Sequence, residues 1–224
     1  MKIETHAHTA EVSPCADVDA KNMIRAYYQA GYDAVVVTDH FKAGIVDRFP
    51  GSDKDKVERY LEGYRIAGDA GEKLGIKVFL GAEVCLAGAA NDYLIFGVDE
   101  LFLSDNPGMY RYTLKQLYDE VSAAGMLLVQ AHPYRSFCAP QDPYLLHGAE
   151  VYNGNIRHAN NNDKTLRWAS GYPHMLHLSG SDYHKSADIA RGGIIITEPA
   201  DINCSKDFCE YLKTGSFELI SRSE

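Results

Sequence analysis

No run in the sequence approaches the roughly 20 consecutive apolar residues that a membrane helix requires. The start shows no basic segment followed by an apolar stretch of the secretory kind, so no membrane association is expected. Low-complexity tracts, blocks of like charge, linker-like stretches and evident internal repeats are also missing, and a single domain over residues 1–224 is expected. Cysteine is sparse and unordered. Cys15, Cys85, Cys138, Cys204 and Cys209 are odd in number and show no Cys-x-x-Cys spacing, which favours a reduced, cytoplasmic setting. Positive charge is short as well: the formal charge of −9 argues against a stable nucleic-acid partner held by broad electrostatics. Bound divalent ions would still make one cleft positive whatever the total. What is present is the mixture of an ordinary soluble globular protein, 46% apolar and 24% charged.

Short apolar runs alternate with amphipathic stretches, the pattern of repeated β-α units. Strands are expected at 3–8, 34–38, 77–83, 93–97, 126–131, 148–152, 175–179 and 193–197. Asp19 is placed to cap a helix with Met23, Ala26, Tyr27 and Ala30 on one face and Gly31 as its stop. Further helices are expected from Val57 to about Leu74, from the Thr113–Gln116 capping box to Gly125, over 162–169 and over 206–213. About seven such units predict an α/β fold, a distorted (β/α)7 barrel of the TIM type, with a doubly wound open sheet as its structural competitor.

The chemistry lies at the ends of the apolar runs. His6 and His8 stand two apart on the first strand, where alternate residues share a side, so they can grip one ion together. His40, Glu83, His132, Asp182 and His184 each follow an apolar run in the same way. In a parallel barrel those strand ends open onto one rim. Alone, a histidine such as His132 before Pro133 is more often a turn residue; as a set these positions predict a metal site. Glu83 can bridge two ions about 3.5–4 Å apart, and an unpaired carboxylate at the end of an apolar strand would otherwise be expensive to bury. His147, His174 and His177 lack this placement, and His158, beside Arg157, is left open.

The segments His6-x-His8-Thr9, Thr38-Asp39-His40, Gly81-Ala82-Glu83, Ala131-His132-Pro133, Glu150-Val151-Tyr152-Asn153 and Gly180-Ser181-Asp182-x-His184 resemble, in order, the motifs of the polymerase and histidinol phosphatase (PHP) family. The resemblance implies a seven-stranded barrel holding two or three divalent ions (Zn, Mn or Fe) that activate water to hydrolyse phosphoesters. Carried over by motif, His6 and His8 hold the first ion with Glu83 and Asp182; Glu83 bridges to a second with His132; His40 and His184 hold a third. Many relatives have a further histidine in the loop after the first motif. Here that loop has none, and Glu11 or Cys15 is the expected substitute; a thiolate would favour Zn or Fe. For the catalytic cation the first choice is Arg135, whose planar guanidinium suits phosphate oxygens, and the second is Arg191. Asp39 is expected to orient a ligand or relay a proton, and Lys42 and His158 are candidates near the leaving group. The expected activity is a metal-dependent phosphoesterase on a small phosphorylated substrate, a phosphomonoester in the manner of histidinol phosphatase. The alternatives are a phosphodiesterase or oligonucleotide hydrolase on the same site, an amidohydrolase-type enzyme, and a non-catalytic metal-binding regulatory domain.

Overall fold

The computed structural model describes residues 1–198 and 200–221. β1 (Lys2–Ala7) is buried from its second residue onward and leads to α1 (Ala20–Gln29), capped by the Asp19 carboxylate accepting from Asn22 N. Then come β2 (Ala34–Val37), β3 (His40–Phe41), the one-turn α2 (Ala43–Val46), α3 (Asp53–Tyr60) and α4 (Glu62–Leu74). β4 (Lys77–Cys85) and β5 (Asp92–Phe96) precede α5 (Glu100–Asp105) and α6 (Leu114–Ala123), and the Thr113–Gln116 capping box opens α6. The remaining elements are β6 (Leu127–Gln130), β7 (Gly148–Asn153), α7 (Asn162–Ala169), β8 (Leu176–Gly180), β9 (Ile194–Ile195), α8 (Ser205–Thr214) and β10 (Glu218–Leu219). Among the described residues no helix is long and apolar enough to cross a membrane.

Two expected elements differ. The helix predicted from Val57 to Leu74 is two helices meeting at Leu61. The offset lets the Tyr60 hydroxyl donate to the Asp39 carbonyl at 2.7 Å. It also sets Gly63 so closely against Thr9 and Asp39 that a Cβ there would overlap Thr9 Oγ1. The strand predicted over 193–197 shrinks to β9, which pairs antiparallel with Lys2 and Ile3 of β1 and carries β10 on its other side.

Seven strands curve into a nearly closed, distorted α/β barrel in the order β1-β2-β4-β5-β6-β7-β8. The pairs β1/β2, β2/β4, β6/β7 and β7/β8 are parallel, whereas β5 runs antiparallel to both β4 and β6. The connection 86–91 is too short for the crossover that a parallel neighbour requires, so β4 and β5 form a hairpin. The barrel closes where the chain after β8 meets β1: His8 N donates to Tyr183 O at 3.0 Å, and Tyr183 N donates to His6 O at 3.1 Å. Lower down, β9 occupies the edge of β1 that β8 leaves free.

Ile3, Phe79, Leu94, Phe96, Val129 and Leu178 fill the lower barrel. Phe208 of α8 closes its floor, stacked on Phe79 with ring centroids 5.6 Å apart and meeting Phe96 edge-on at 6.0 Å. Strand parity then decides what reaches the mouth. In β4 the period of two holds: Leu80, Ala82 and Val84 face the outer helices, and Phe79, Gly81 and Glu83 face in. β1 breaks it. Its register runs Ile3↔Ala34, Glu4↔Val35 and then Ala7↔Val37, so one extra residue bulges between Glu4 and Ala7. Ile3 points into the barrel core, while Ala7 packs outward with Met23 and Tyr27 of α1. Without the bulge, His6 and His8 would have followed Glu4 to the outside. β7 has the same device between Glu150 and Tyr152, and Glu150 and Asn153 come to one side, 2.8 Å apart.

Candidate metal centre

Above the apolar floor, the seven residues expected to bind ions come together. His6 and His8 bring their Nε2 atoms within 3.0 Å. Glu83 at the end of β4 lies 3.2 Å from His6 Nε2, 3.4 Å from His8 Nε2, 3.3 Å from His132 Nε2 and 2.5 Å from His40 Nδ1. Asp182 Oδ1 is 3.5 Å from both His6 and His8 Nε2, and 3.2 Å from His184 Nδ1. All seven are buried. Asp92, not anticipated, joins them, with Oδ2 3.9 Å from His132 Nε2.

Three sets of ligand atoms lie within 4.8 Å of one another: His6, His8 and Glu83; Glu83, Asp92 and His132; His8, His40 and His184. Glu83 is common to the first two sets and His8 to the first and third. His40 Nδ1, Glu83 Oε2 and Asp92 Oδ1 are buried without a hydrogen-bond partner, a state that only Thr165 Oγ1 shares among the described side chains. Leaving such atoms unsatisfied is unfavourable. His40 Nδ1 and Glu83 Oε2 nevertheless approach to 2.5 Å without hydrogen-bonding, which is how two ligands aimed at a common ion meet. The donor set of imidazole nitrogens and carboxylate oxygens fits divalent Zn, Mn or Fe.

Electrostatics point the same way. Burial disfavours charge on His6, yet Glu150, Asp182 and Glu83 hold its pKa well above the usual value. Against the same burial, the Glu83 charge raises His40 to about 9, hydrogen bonds to Cys138 and Glu83 raise His132 to about 9, and Asp182 raises His184 to about 10. Burial works to raise Glu83 and Asp182, but the surrounding cations keep both well below the carboxylate range. His8 goes the other way, lowered by burial and by the charges of His184 and His40. The carboxylates therefore demand compensating positive charge, which protons supply here and divalent ions would supply better.

The cage is held from behind. Glu150 Oε1 accepts from His6 Nδ1 at 2.9 Å, fixing the tautomer that leaves Nε2 free for an ion, and Oε2 accepts from His132 N at 3.1 Å. Asp39 does not face the cleft. Its carboxylate, raised to about 6 by burial, accepts from Thr9 N (2.8 Å), Thr9 Oγ1 (2.7 Å) and Ser13 Oγ (2.7 Å). Ser13 Oγ in turn lies 3.4 Å from His8 Nδ1 and accepts from His40 N at 3.1 Å. Asp39 thus acts on the ligands through the loop after β1, not on a reacting atom. His132 (φ 31°) and Asp182 (φ 51°) sit in the left-handed region that non-glycine residues avoid. Such backbone strain concentrates at functional sites.

A cavity of about 190 Å³ opens on this cage and is also lined by Arg135, Arg157 and His158. Arg135 is clamped by Asn160 Oδ1 at Nε (2.9 Å) and by Asn153 Oδ1 (2.9 Å) and Asp182 Oδ2 (2.5 Å) at Nη2. Arg157 is anchored on buried Asp188 at 3.0 Å, the carboxylate that also accepts from His184 N at 3.1 Å. Cys15 lines the cavity, where His184 and His40 lower its thiol to about 6 against the effect of burial.

Three expected residues lie away from the cavity lining. Glu11 takes no place at the cavity; its carboxylate accepts from Ala20 N at 3.0 Å, at the start of α1. Arg191 turns to the Ala187 carbonyl at 3.1 Å, and Arg157 occupies the wall instead. Lys42 is also absent from the lining. Asp92 was missed because a parallel barrel would put the start of its strand at the floor; the short β4–β5 connection was the signal for a hairpin. Glu150 stood in a quoted motif without a role; alternation with Ala149 and Val151 turns it inward to His6, and the β7 bulge after it brings Asn153 to the same side.

Among solved structures, the chain is similar to PsfC from Pseudomonas syringae (TM-score 0.72, 19% identity, 99% of this chain and 91% of that one). It is also similar to a two-domain protein from Bacteroides vulgatus containing a predicted PHP-like metal-dependent phosphoesterase (0.71, 18% identity, 99% of this chain). This chain spans only 64% of that protein's length. An amidohydrolase from Chromobacterium violaceum, solved with sulfate and no metal, follows (0.60, 14% identity, 94% and 95% covered). At these identities the likeness is one of fold. A search of curated proteins finds no match. The family described as PHP domain matches over residues 4–191, which takes in every strand from β2 to β8 and each residue of the cage. The chain belongs to the PHP domain family.

Proposed function

We propose that this protein is a metal-dependent phosphoesterase acting on a small phosphomonoester. One observation carries the reading: a cavity of about 190 Å³ lined both by the histidine–carboxylate cage and by Arg135, Arg157 and His158. A phosphoryl group needs both the ion-binding cage and the cations, and the volume suits that group with a short leaving group better than a nucleic-acid strand. Divalent ions, when bound, supply the positive charge that activates water and neutralises phosphoryl oxygens. The chain's own part is orientation. Glu150 holds the proton on His6 Nδ1. Asn153, Asn160 and Asp182 fix the Arg135 guanidinium, whose Nη1 has no hydrogen bond among the described residues and is left for a phosphoryl oxygen. The free cysteines suit a cytoplasmic setting, which is part of the same proposal.

The test is a steady-state panel of phosphomonoesters, phosphodiesters, amides and lactones, with metal-loaded and chelator-treated protein. Metal-dependent turnover of monoesters is expected. Turnover of diesters alone would move the assignment to the phosphodiesterase reading, turnover of amides or lactones alone to the amidohydrolase one, and metal binding without any turnover to a regulatory domain.

A further inference from the structure

We propose that Asp188 is a positioning residue: it fixes the Arg157 guanidinium in register with the turn 182–184, so that Arg157 serves beside Arg135 as a second contact for phosphoryl oxygens. The inference rests on the phosphoesterase reading for the identity of the anion, and its test reads binding, not turnover.

Arg157 stands on a stretch, 156–159, in which every residue is exposed. By itself such a segment gives a long side chain no fixed place, and ordering it costs entropy. Arg157 is instead tied twice to the turn that carries Asp182 and His184. Its backbone N donates to Asn155 Oδ1 at 3.0 Å, and Asn155 Nδ2 donates to the Asp182 carbonyl at 3.2 Å. Its side chain reaches Asp188, Nη2 donating to Oδ2 at 3.0 Å and Nε to Oδ1 at 3.4 Å. Asp188 Oδ2 also accepts from His184 N at 3.1 Å and from Lys185 N at 2.9 Å. One carboxylate therefore sets both the direction of the cation and the backbone at His184.

A charge is needed at residue 188 for the arginine, not for the turn. Neutral oxygens of serine or asparagine serve backbone donors in turns equally well. The Asp188 side chain is fully buried, whereas that of Arg157 is 31% exposed. Burying a carboxylate is unfavourable unless a cation and hydrogen bonds compensate it. The two arginines of the cavity then show one pattern. In Arg135, Nε and Nη2 are taken by Asn160, Asn153 and Asp182; in Arg157 the same two nitrogens are taken by Asp188. Neither Nη1 has a hydrogen bond among the described residues, and both side chains line the cavity with Asp182 and His184. A guanidinium held in this way keeps its charge and one open edge, which suits a phosphoryl oxygen.

The experiment measures binding of inorganic phosphate to the metal-loaded full-length chain by calorimetry, with bound metal counted in every variant. Asp188→Asn keeps an oxygen for the two backbone donors and turns an amide nitrogen toward Arg157 Nε, so it loosens the guanidinium and spares the turn. Phosphate affinity should fall about tenfold with metal content unchanged. Arg157→Gln, which keeps a donor for Asp188, should lose as much, and the double variant should bind no more weakly than Arg157→Gln alone. Arg157→Lys keeps the charge without the two-nitrogen grip and should also lose about tenfold, which tests the positioning even where Asp188→Asn does not fold. Absence of phosphate binding by the wild type, an Asp188→Asn or Arg157→Lys protein within about twofold of it, or losses that add in the double variant would overturn the proposal. So would loss of metal from Asp188→Asn, which would make Asp188 a support of the ion cage alone. Phosphate bound in the expected pattern by a protein that turns over no phosphomonoester would sink the functional reading and leave this one standing.

Discussion

Replacing Glu150 by glutamine changes one buried atom from acceptor to donor, and the structure leaves the amide no good orientation. Both carboxylate oxygens are in use: Oε1 takes the His6 Nδ1 proton at 2.9 Å, and Oε2 takes His132 N at 3.1 Å and Asn153 Nδ2 at 2.8 Å. With the amide nitrogen toward His6, the imidazole must move its proton to Nε2, the nitrogen that meets His8 and Glu83. With it turned the other way, the amide nitrogen faces two donors, His132 N in its strained turn and Asn153 Nδ2. The first outcome weakens ion binding; losing a carboxylate that orients a ligating histidine typically lowers metal affinity about 10- to 100-fold, or roughly 1.4–2.7 kcal/mol. The second leaves buried donors unpaired and destabilises the fold by about 1–3 kcal/mol. Competition against a fluorescent chelator with Zn and Mn, alongside urea unfolding of the metal-free protein, measures both. An E150Q variant within twofold of wild-type affinity and unchanged in unfolding midpoint would refute the tautomer argument.

Arg135→Lys keeps the charge but loses the fork held by Asn153, Asn160 and Asp182; KM for a phosphomonoester should rise about tenfold or more with metal content unchanged, while Arg191→Ala leaves kinetics alone. Equal effects from the two would overturn the placement of the cationic wall. Gly63→Ala puts a Cβ onto Thr9 Oγ1 and close to Asp39 Oδ2, so the metal-free protein should lose about 1–3 kcal/mol by chemical denaturation; an unchanged midpoint would show that α4 shifts freely. Phe208→Ala empties the barrel floor and should cost about 3–5 kcal/mol without altering metal stoichiometry, since Phe208 packs on Phe79 and Phe96 and not on a ligand; loss of metal from a folded variant would contradict that separation.

How much of this was legible in the sequence depended on whether local periodicity survived into the fold. Glu83 was readable because β4 keeps its alternation from Phe79 to the mouth. His6 and His8 were readable as a pair, but not in their direction: the bulge before them has no side-chain signature in the sequence, and one residue of register decides between cleft and outer shell. Asp92 was hidden by the reversal of β5, which a six-residue connection implied and a parallel template suppressed. Arg157 and Arg191 both lie in loops near the last motifs; Asp188 separates them by anchoring the first at the cavity, and such a contact across 31 residues has no local pattern. A helix over 206–213 was expected, but not that α8 would plug the barrel.

The break in the barrel explains one more residue that sequence reasoning passed over. Where β1 has no continuous neighbour, its backbone donors still need acceptors. Glu4 Oε1 accepts from Thr5 N at 3.0 Å, His6 N at 2.9 Å and Ser181 N at 2.8 Å, so a single oxygen serves both sides of the seam. Oε2 takes the Tyr27 hydroxyl from α1 at 2.8 Å and the Ser181 hydroxyl at 2.5 Å, tying in the outer helix. Burial pushes this carboxyl up to about 7, against the bonds that favour its charge. Next to it, Gly180 passes so close that a Cβ would come within 2.5 Å of His6 Cβ and 2.7 Å of Glu150 Oε1. The seam is thus narrow because glycine allows it and satisfied because glutamate spans it. The bulge that would be a fault in a closed ladder is what turns His6 toward Asp182 across the gap. An eighth strand here would restore the ladder, remove the need for Glu4, and separate the two sides of the cage.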